Sequence, residues 1–225
     1  MSCHDAFVTV SISASTPDDD PFRILCVCTG NVFRSRLAEH FLRVGLSERD
    51  RSNDFSVASA GTGVLPGRPI GTGEAAGLQR CGLPADARPS RRVSAADIDG
   101  ADLVLCADRS HRAAVLELAP GALRRTFLIR EFARVAGAAF ELAANQRSAT
   151  RPSPVTVTPA ERARRVVADA ATFRGHVPSD GSDEIGDPFG EPDTVLRSAA
   201  GLVREAVPGV LDPLTGLVDR AVHAG

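Results

Sequence analysis

The residues best suited to chemistry lie in one short stretch, CTGNVFRS, which runs from Cys28 to Ser35. It follows an apolar run and precedes a helical pattern, so its thiol, its small loop and its arginine meet at a helix N-terminus. Backbone N–H groups of such a loop form a nest for an anion, and Arg34 adds a planar cation that binds two phosphate oxygens at once. The nest, the helix N-terminus and the arginine all favour a thiolate, which makes Cys28 a candidate nucleophile beneath an oxyanion site.

The spacing of cysteine and arginine is a weak signal by itself, because it recurs at Cys106 and Arg112 without a glycine between them. In the first stretch Gly30 can adopt a positive φ and Asn31 tolerates one, which would turn the loop N–H groups inward. An ordinary strand–turn–helix with a buried cysteine gives the same pattern. From the residues alone, both interpretations stay open.

The elements that must position this loop follow from hydrophobic periodicity. Strands alternating with helices predict an α/β fold, a single domain with a doubly wound four-stranded parallel sheet flanked by helices. In such sheets ligands bind beyond the carboxyl ends of the strands, where Cys28 and Cys106 both lie. The predicted strands are 23–27, 54–61, 101–108 and 124–129, and the predicted helices are 34–46, 71–82, 109–118, 130–143, 159–173 and 194–206.

The domain organisation follows from shifts in composition. Residues 1–21 end in TPDDDP and are interpreted as a flexible N-terminal extension, and 22–206 as the domain. Residues 137–182 are interpreted as an insertion, with a Pro/Ser-rich loop over 144–158, which could form a lid or a docking surface. Residues 207–225 are interpreted as a C-terminal tail.

Composition limits the functional class. The net charge is -2 and no polybasic segment is present, so nucleic acid is not an expected partner. No stretch is apolar enough to span a membrane. Five cysteines without regular spacing fit reduced thiols, which predicts a cytoplasmic protein, and without a Cys-x-x-Cys pair neither a metal nor a cofactor is expected. His111 and Arg112, at a helix start, are expected at the surface.

Several motifs together resemble the low-molecular-weight protein tyrosine phosphatase family. They occur in the order CTGNVFRS at 28–35, SAGT at 59–62, Gly67-x-Pro69, ADLVL at 101–105, FLIREFARV at 127–135 and DPFG at 187–190. The resemblance implies a cysteine-dependent phosphomonoester hydrolase that acts through a phosphocysteine intermediate, on a phosphorylated protein or a small phosphomonoester. The sequence predicts no oligomeric state.

The resemblance also implies catalytic roles. Cys28 would attack phosphorus, Arg34 and the amides of 29–34 would hold the phosphoryl oxygens, and Asp187 would protonate the leaving group and then activate water. Asp187 is preferred over the nearby Asp180, Asp183 and Glu184 because the proline after it biases its backbone to an extended form.

The remaining site residues are also implied by the resemblance. Ser59 and Asn31 would support the loop backbone, and Ser35 would stabilise the departing thiolate. The predicted substrate-binding residues are Thr29, Gly30, Asn31, Val32, Phe33, Ser35, Leu65 and Phe189.

Departures from the family pattern leave alternatives. Phe33 replaces a second loop cysteine, Arg36 a proline and Arg88 or a neighbour a histidine, while Phe189 is the one aromatic left after Asp-Pro. A weaker preference for phosphotyrosyl peptides follows. Cys106 matches a redox cysteine of the related arsenate reductases, although a core role is favoured. The alternatives are therefore an arsenate reductase that uses an external low-molecular-weight thiol, and a non-catalytic oxyanion- or protein-binding module.

Overall fold

The computed structural model describes residues 20–64, 70–84, 88–147, 157–179 and 181–217. Four strands in this part of the chain form one parallel sheet in the order β2-β1-β3-β4. They are β1 Phe22–Cys28, β2 Phe55–Gly61, β3 Leu103–Cys106 and β4 Thr126–Leu128. The predicted α/β fold with a doubly wound four-stranded parallel sheet is confirmed.

Helices cover both faces of the sheet. Among the described residues they are α1 Arg34–Glu48, α2 Thr72–Arg80, α3 Ala95–Asp99, α4 Arg109–Leu118, α5 Ile129–Arg147, α6 Pro159–Phe173 and α7 Asp193–Thr215. Helices α1, α5, α6 and α7 pack on one face, and α3, α4 and a 3₁₀ helix at Pro120–Arg125 pack on the other. The strands are buried on both sides, as parallel strands with crossover helices must be.

Two short elements escape the sequence analysis. Helix α3 is a single turn whose N-cap Ser94 accepts from the Asp97 N–H, while the Asp97 carboxylate accepts from the Ser94 N–H. This reciprocal cap is the visible sequence signal, a serine followed three residues later by an acid. The 3₁₀ helix begins with Pro120, whose fixed φ suits a helix start.

Helix α7 is longer than its predicted span of 194–206. Residues 207–215, which the sequence pattern assigns to the tail, belong to this helix, although Pro208 and Pro213 lie within it. The reason is packing, since Val210, Leu211 and Leu214 are fully buried in the core that α7 shares with α1 and α5. Residues 218–225 lie outside the described residues.

Helix α6, inside the segment interpreted as an insertion, is part of the main core. Its alanines Ala160, Ala163 and Ala170 are buried with Val167, which lets α6 approach α5 and α7 closely. Helix α5 continues to Arg147, into the segment predicted as a loop. Residues 148–156, and with them most of that loop, lie outside the described residues, as do 1–19, 65–69, 85–87 and Asp180.

Two strand ends and one connecting segment define the edge of the sheet where the candidate site lies. Cys28 ends β1 and Cys106 ends β3, so both thiols lie at carboxyl ends of parallel strands. The segment 88–93 passes beside the end of β2, where Gly61 exchanges backbone hydrogen bonds with Arg91 and Val93, both 2.9 Å long. This segment therefore lies against the loop that follows β1.

Candidate active site

The loop between β1 and α1 takes its shape from Asn31. Asn31 has a φ of 51°, in the left-handed region that asparagine tolerates. Gly30, expected to supply a positive φ, lies outside that region, and a Cβ there would meet only Val32 at ordinary contact distance. The conformational demand on this loop therefore falls on Asn31.

A glycine of the neighbouring strand gives the loop its room. A Cβ added to Gly61 would lie 2.4 Å from the Thr29 carbonyl oxygen and 2.8 Å from the Asn31 nitrogen. Thr62 N–H donates to the Cys28 carbonyl and Gly63 N–H donates to the Thr29 carbonyl, which binds the loop to the turn after β2. The SAGT motif thus provides close backbone approach to the 28–35 loop.

Cys28 lies at the end of a series of hydrogen bonds that begins at Glu39. The Glu39 carboxylate can only accept, so the Ser59 hydroxyl donates to it over 2.6 Å. The Asn31 amide then donates to Ser59 and to Ser35, at 2.9 and 3.1 Å. The Ser35 hydroxyl lies 3.0 Å from the Cys28 sulfur, and it can donate its own hydrogen to a thiolate there, which stabilises negative charge on the sulfur.

The series of hydrogen bonds begins at Glu39, whose carboxylate is buried. The Glu39 side chain is 2 % exposed, and it is paired with Arg43 at 2.9 Å and with Arg88 at 3.0 Å. A buried carboxylate needs such partners, because both guanidinium groups compensate the hydration that it loses on burial. Arg88, which stands at or near the place of a histidine in the family pattern, thus contacts the residue from which the loop is supported.

The guanidinium of Arg34 lies at the loop and has hydrogen-bond partners on both of its terminal nitrogens. Its guanidinium is 3 % exposed and donates through Nη1 to Asp108 and to the Ile185 carbonyl, both at 3.1 Å. Through Nη2 it contacts Asp187 at 2.8 Å and Thr29 Oγ1 at 3.3 Å. These contacts hold the guanidinium plane in one orientation at the cavity.

Asp187 is the acid of its segment that faces the loop. Its side chain is half exposed and lies 2.8 Å from Arg34. Asp183 is instead buried against Arg134, and Glu184 pairs with Arg109. Asp180 is outside the described residues, and of the three described acids Asp187 is the one that lines the cavity with Cys28.

His111 is a site residue that sequence reasoning misses. It is 1 % exposed rather than at the surface, and its Nε2 lies 2.8 Å from the Thr29 hydroxyl. Its Nδ1 lies 3.2 Å from the Asp108 nitrogen and 3.0 Å from the Asp108 carboxylate, in the N-terminal cap of α4. The Asp-x-x-His spacing of that cap is the signal in the sequence.

The charges around His111 are interlocked. Burial lowers the pKa of His111; the Asp108 carboxylate opposes this, and Arg34 reinforces it. Burial pushes the pKa of Asp108 upward, but hydrogen bonds from Ser110 and His111 and the charge of Arg34 leave it lowered overall. The stable pairing is a neutral imidazole beside an ionised Asp108 and the Arg34 cation.

The loop encloses a cavity of about 170 Å³. Phe33 and Val32 form apolar walls at the loop, and Phe189 stands 58 % exposed at the rim beside Asp187. Leu65, predicted as a further wall, lies outside the described residues. The cavity is lined by Cys28, Thr29, Gly30, Val32, Phe33, Arg34, Asp187 and Phe189.

The other described cysteines are core thiols. Cys106 is fully buried at the end of β3, paired in register with Val27, and burial raises the pKa of its thiol far above the usual range. Burial likewise raises the pKa of Cys26 and Cys81. This burial favours a core role for Cys106.

The described ranges contain neither a cluster of metal-binding side chains nor a membrane-spanning helix. No group of three or more His, Cys, Asp or Glu in them is placed to hold a metal ion. No helix in them has both the length and the apolar character to cross a membrane.

Comparison with known proteins relates this geometry to a family. The model of the low molecular weight phosphotyrosine protein phosphatases matches residues 23–144. The low molecular weight protein-tyrosine phosphatase A of Mycobacterium tuberculosis is 35% identical over 106 residues, which are 47% of this chain and 64% of that protein. The matched region thus spans less than two thirds of that relative.

A second relative carries a different name. A protein-arginine-phosphatase of Geobacillus stearothermophilus is 32% identical over 112 residues, 50% of this chain and 72% of that protein. Among solved structures, Bacillus subtilis YfkJ aligns with a TM-score of 0.59 at 17% identity, covering 88% of this chain and 96% of that chain. At that identity, the structural match supports the fold alone.

Proposed function

Because this chain belongs to the low molecular weight phosphotyrosine protein phosphatase family, we propose that it is a cysteine-dependent phosphomonoester hydrolase of the protein-tyrosine-phosphatase kind. The observation that carries the proposal is the position of the Cys28 sulfur. It lies in a cavity with Arg34 and Asp187, and the Ser35 hydroxyl is within hydrogen-bond distance of it, at 3.0 Å. A thiolate, a fixed cation and an acid around one small cavity are the groups that phosphoryl transfer needs.

In the first step, the Cys28 thiolate attacks phosphorus and the ester oxygen leaves. Asp187, in its protonated form, gives its proton to that oxygen, so an alcohol or phenol departs and a phosphocysteine remains. The loop amides and Arg34 hold the three remaining oxygens as charge builds on them. Arg34 is oriented for this by Asp108 and by the Ile185 carbonyl before substrate arrives.

In the second step, water hydrolyses the phosphocysteine. The Asp187 carboxylate accepts a proton from the water, whose oxygen bonds to phosphorus as the bond to sulfur breaks. Cys28 leaves as a thiolate, and the Ser35 hydroxyl stabilises it through the same hydrogen bond. Inorganic phosphate is released and Asp187 is protonated again for the next cycle.

The proposed substrate is a phosphorylated protein or a small phosphomonoester. Phe33, Val32 and the exposed Phe189 supply an apolar wall and rim on which a flat side chain could pack. The relatives are named a protein-tyrosine phosphatase and a protein-arginine-phosphatase. A phosphorylated tyrosine is cleaved at a P–O bond and a phosphorylated arginine at a P–N bond, and the proposal is for the P–O bond of a phosphomonoester. We place the enzyme in a reducing compartment, the cytoplasm, because Cys26, Cys28, Cys81 and Cys106 are all free thiols.

The first test is steady-state hydrolysis of p-nitrophenyl phosphate from pH 4.5 to 8 by wild type, Cys28→Ser and Asp187→Asn. We expect Cys28→Ser to abolish turnover and Asp187→Asn to lower kcat by about 100-fold, in the range usual for losing a general acid. Vanadate binding to each protein checks that the loop is intact.

The same set separates the alternatives. A wild type that binds vanadate but does not hydrolyse the ester contradicts the proposal. Arsenate-dependent consumption of an added low-molecular-weight thiol by that protein would then indicate a reductase, and its absence a binding module.

A further inference from the structure

Arg36 is a buried cation in an unfavourable place. It lies in the first turn of α1, with 3 % of the residue exposed. The N-terminal end of a helix carries partial positive charge, which disfavours a cation, and burying a guanidinium costs several kcal/mol in lost hydration. Such a residue needs strong compensating partners, and the identity of those partners indicates its task.

The partners of Arg36 tie two segments of the site together. Arg36 Nε donates to the Asn31 carbonyl over 2.8 Å. On the other side of the guanidinium, Nη2 donates to the carbonyls of Arg88 and Pro89, at 2.9 and 3.0 Å. One planar group therefore connects the 28–35 loop to the segment that passes beside the end of β2.

The Asn31 carbonyl oxygen is held from two directions. Besides Arg36, the buried Ser90 hydroxyl donates to it over 3.0 Å. In a planar trans peptide the C=O and the following N–H point to opposite sides. Fixing the Asn31 oxygen toward Arg36 and Ser90 therefore directs the N–H of Val32 the other way, and Val32 lines the cavity.

We propose that Arg36 is a positioning residue for oxyanion binding. It sets the plane of the peptide between Asn31 and Val32, and so aims a loop N–H at the phosphoryl oxygens without touching them. The inference rests on the proposed function, because it concerns the same loop. Since donors aimed at developing charge act most strongly in the transition state, its loss lowers kcat and vanadate affinity more than it raises KM.

The test compares Arg36→Met with Arg36→Lys. Methionine fills the buried volume without a donor, whereas lysine keeps the charge and can reach one side of the clamp. We expect Arg36→Met to lower kcat for p-nitrophenyl phosphate and the affinity for vanadate by about 100-fold, as a displaced site does. Arg36→Lys should lie between Arg36→Met and wild type, and KM should change by less than about threefold in both.

Arg49→Met is the matched control. Arg49 also lies at the end of a helix, where it binds the Gly45 carbonyl and Asp212, and it ties α1 to α7 away from the cavity. Its loss should lower Tm while kcat and vanadate affinity stay at the wild-type level. Equal losses of kcat in Arg36→Met and Arg49→Met at equal Tm would overturn the proposal, as would wild-type kcat and vanadate affinity in Arg36→Met.

Ser90→Ala supplies a second, independent measurement. Because Ser90 and Arg36 act on the same oxygen, their effects on vanadate affinity should not multiply in the double variant. Independent, multiplying effects would contradict a shared role. Vanadate binding also keeps the two proposals apart, since a wild type without turnover refutes the hydrolase but leaves the role of Arg36 in oxyanion binding open to this comparison.

Discussion

Arg34 is placed so that its charge is engaged before any substrate is present. Asp108 and the Ile185 carbonyl orient one side of its guanidinium, and Asp187 contacts the other at 2.8 Å. An incoming phosphate dianion must share or displace that second contact. While it is ionised, the Asp187 carboxylate thus competes with phosphate for the Arg34 guanidinium.

Replacing Asp187 by Asn should therefore tighten oxyanion binding while it slows turnover. The Asp187 carboxylate is half exposed, so water screens its contact with Arg34, and we expect vanadate or inorganic phosphate to bind about threefold to tenfold more tightly, on the order of 1 kcal/mol. Titration by calorimetry at neutral pH measures this directly.

Glu184→Gln is the control for that measurement. Glu184 lies in the same segment but pairs with Arg109, 3.3 Å away, rather than with Arg34. The affinity of Glu184→Gln for vanadate should stay near that of wild type. An equal rise in affinity in both variants would mean that the loss of any negative charge near the site strengthens binding. An unchanged affinity in Asp187→Asn would refute the competition.

At the scale of elements, the 28–35 loop keeps its shape because neighbouring segments leave it room and bind its polar atoms. The carbonyl oxygen of Asn31 accepts hydrogen bonds from Arg36 in α1 and from Ser90 in the segment beside β2. Its side-chain oxygen accepts from the Arg91 N–H of that same segment. The turn after β2 can approach only because Gly61 has no side chain. The shape of the 28–35 loop therefore depends on α1, on the segment beside β2 and on the turn after β2, and not only on the eight residues of the loop.

Gly61→Ala should displace the loop. The new methyl would lie 2.4 Å from the Thr29 carbonyl oxygen and 2.5 Å from Val64 Cγ2, so backbone as well as a side chain must move. We expect kcat and vanadate affinity to fall by about 100-fold, with a loss of about 1–3 kcal/mol in the free energy of unfolding. Steady-state kinetics and urea denaturation give both quantities.

Gly137→Ala provides the comparison for this glycine. Gly137 lies in α5, and a Cβ there meets nothing within 4 Å. Alanine favours a helix over glycine, so stability should be equal or higher and kcat unchanged. A fully active Gly61→Ala would show that the loop does not depend on this close approach.

Elements and their order are readable from the sequence because periodicity reports burial on helices and strands. The Cys28-to-Ser35 motif and the Asp-Pro step likewise point to residues that the fold brings to one cavity. What escapes is contact between distant segments. The burial of His111, for instance, depends on Thr29 lying 2.8 Å from its Nε2, and no local pattern reports that distance.

At the scale of the molecule, the core extends into segments that composition alone assigns elsewhere. Helix α6 lies inside the predicted insertion, yet its alanines pack with α5 and α7. The end of α7 lies in the predicted tail, yet it is buried against α1. Two prolines suggest a helix stop near 207, but the apolar spacing of 207, 210, 211 and 214 continues the buried stripe.

Leu214→Ala tests whether the end of α7 belongs to the core. Leu214 is fully buried, so its truncation should lower the free energy of unfolding by about 2–5 kcal/mol, the usual cost of removing a large core side chain. Because the cavity of Cys28 lies at the edge of the sheet, kcat of the folded protein should remain near the wild-type value. Val195→Ala, at a position 36% exposed on the same helix, should cost less than about 1 kcal/mol. Urea denaturation measures both variants. If the free energy of unfolding of Leu214→Ala equals that of wild type, the end of α7 lies outside the cooperative core.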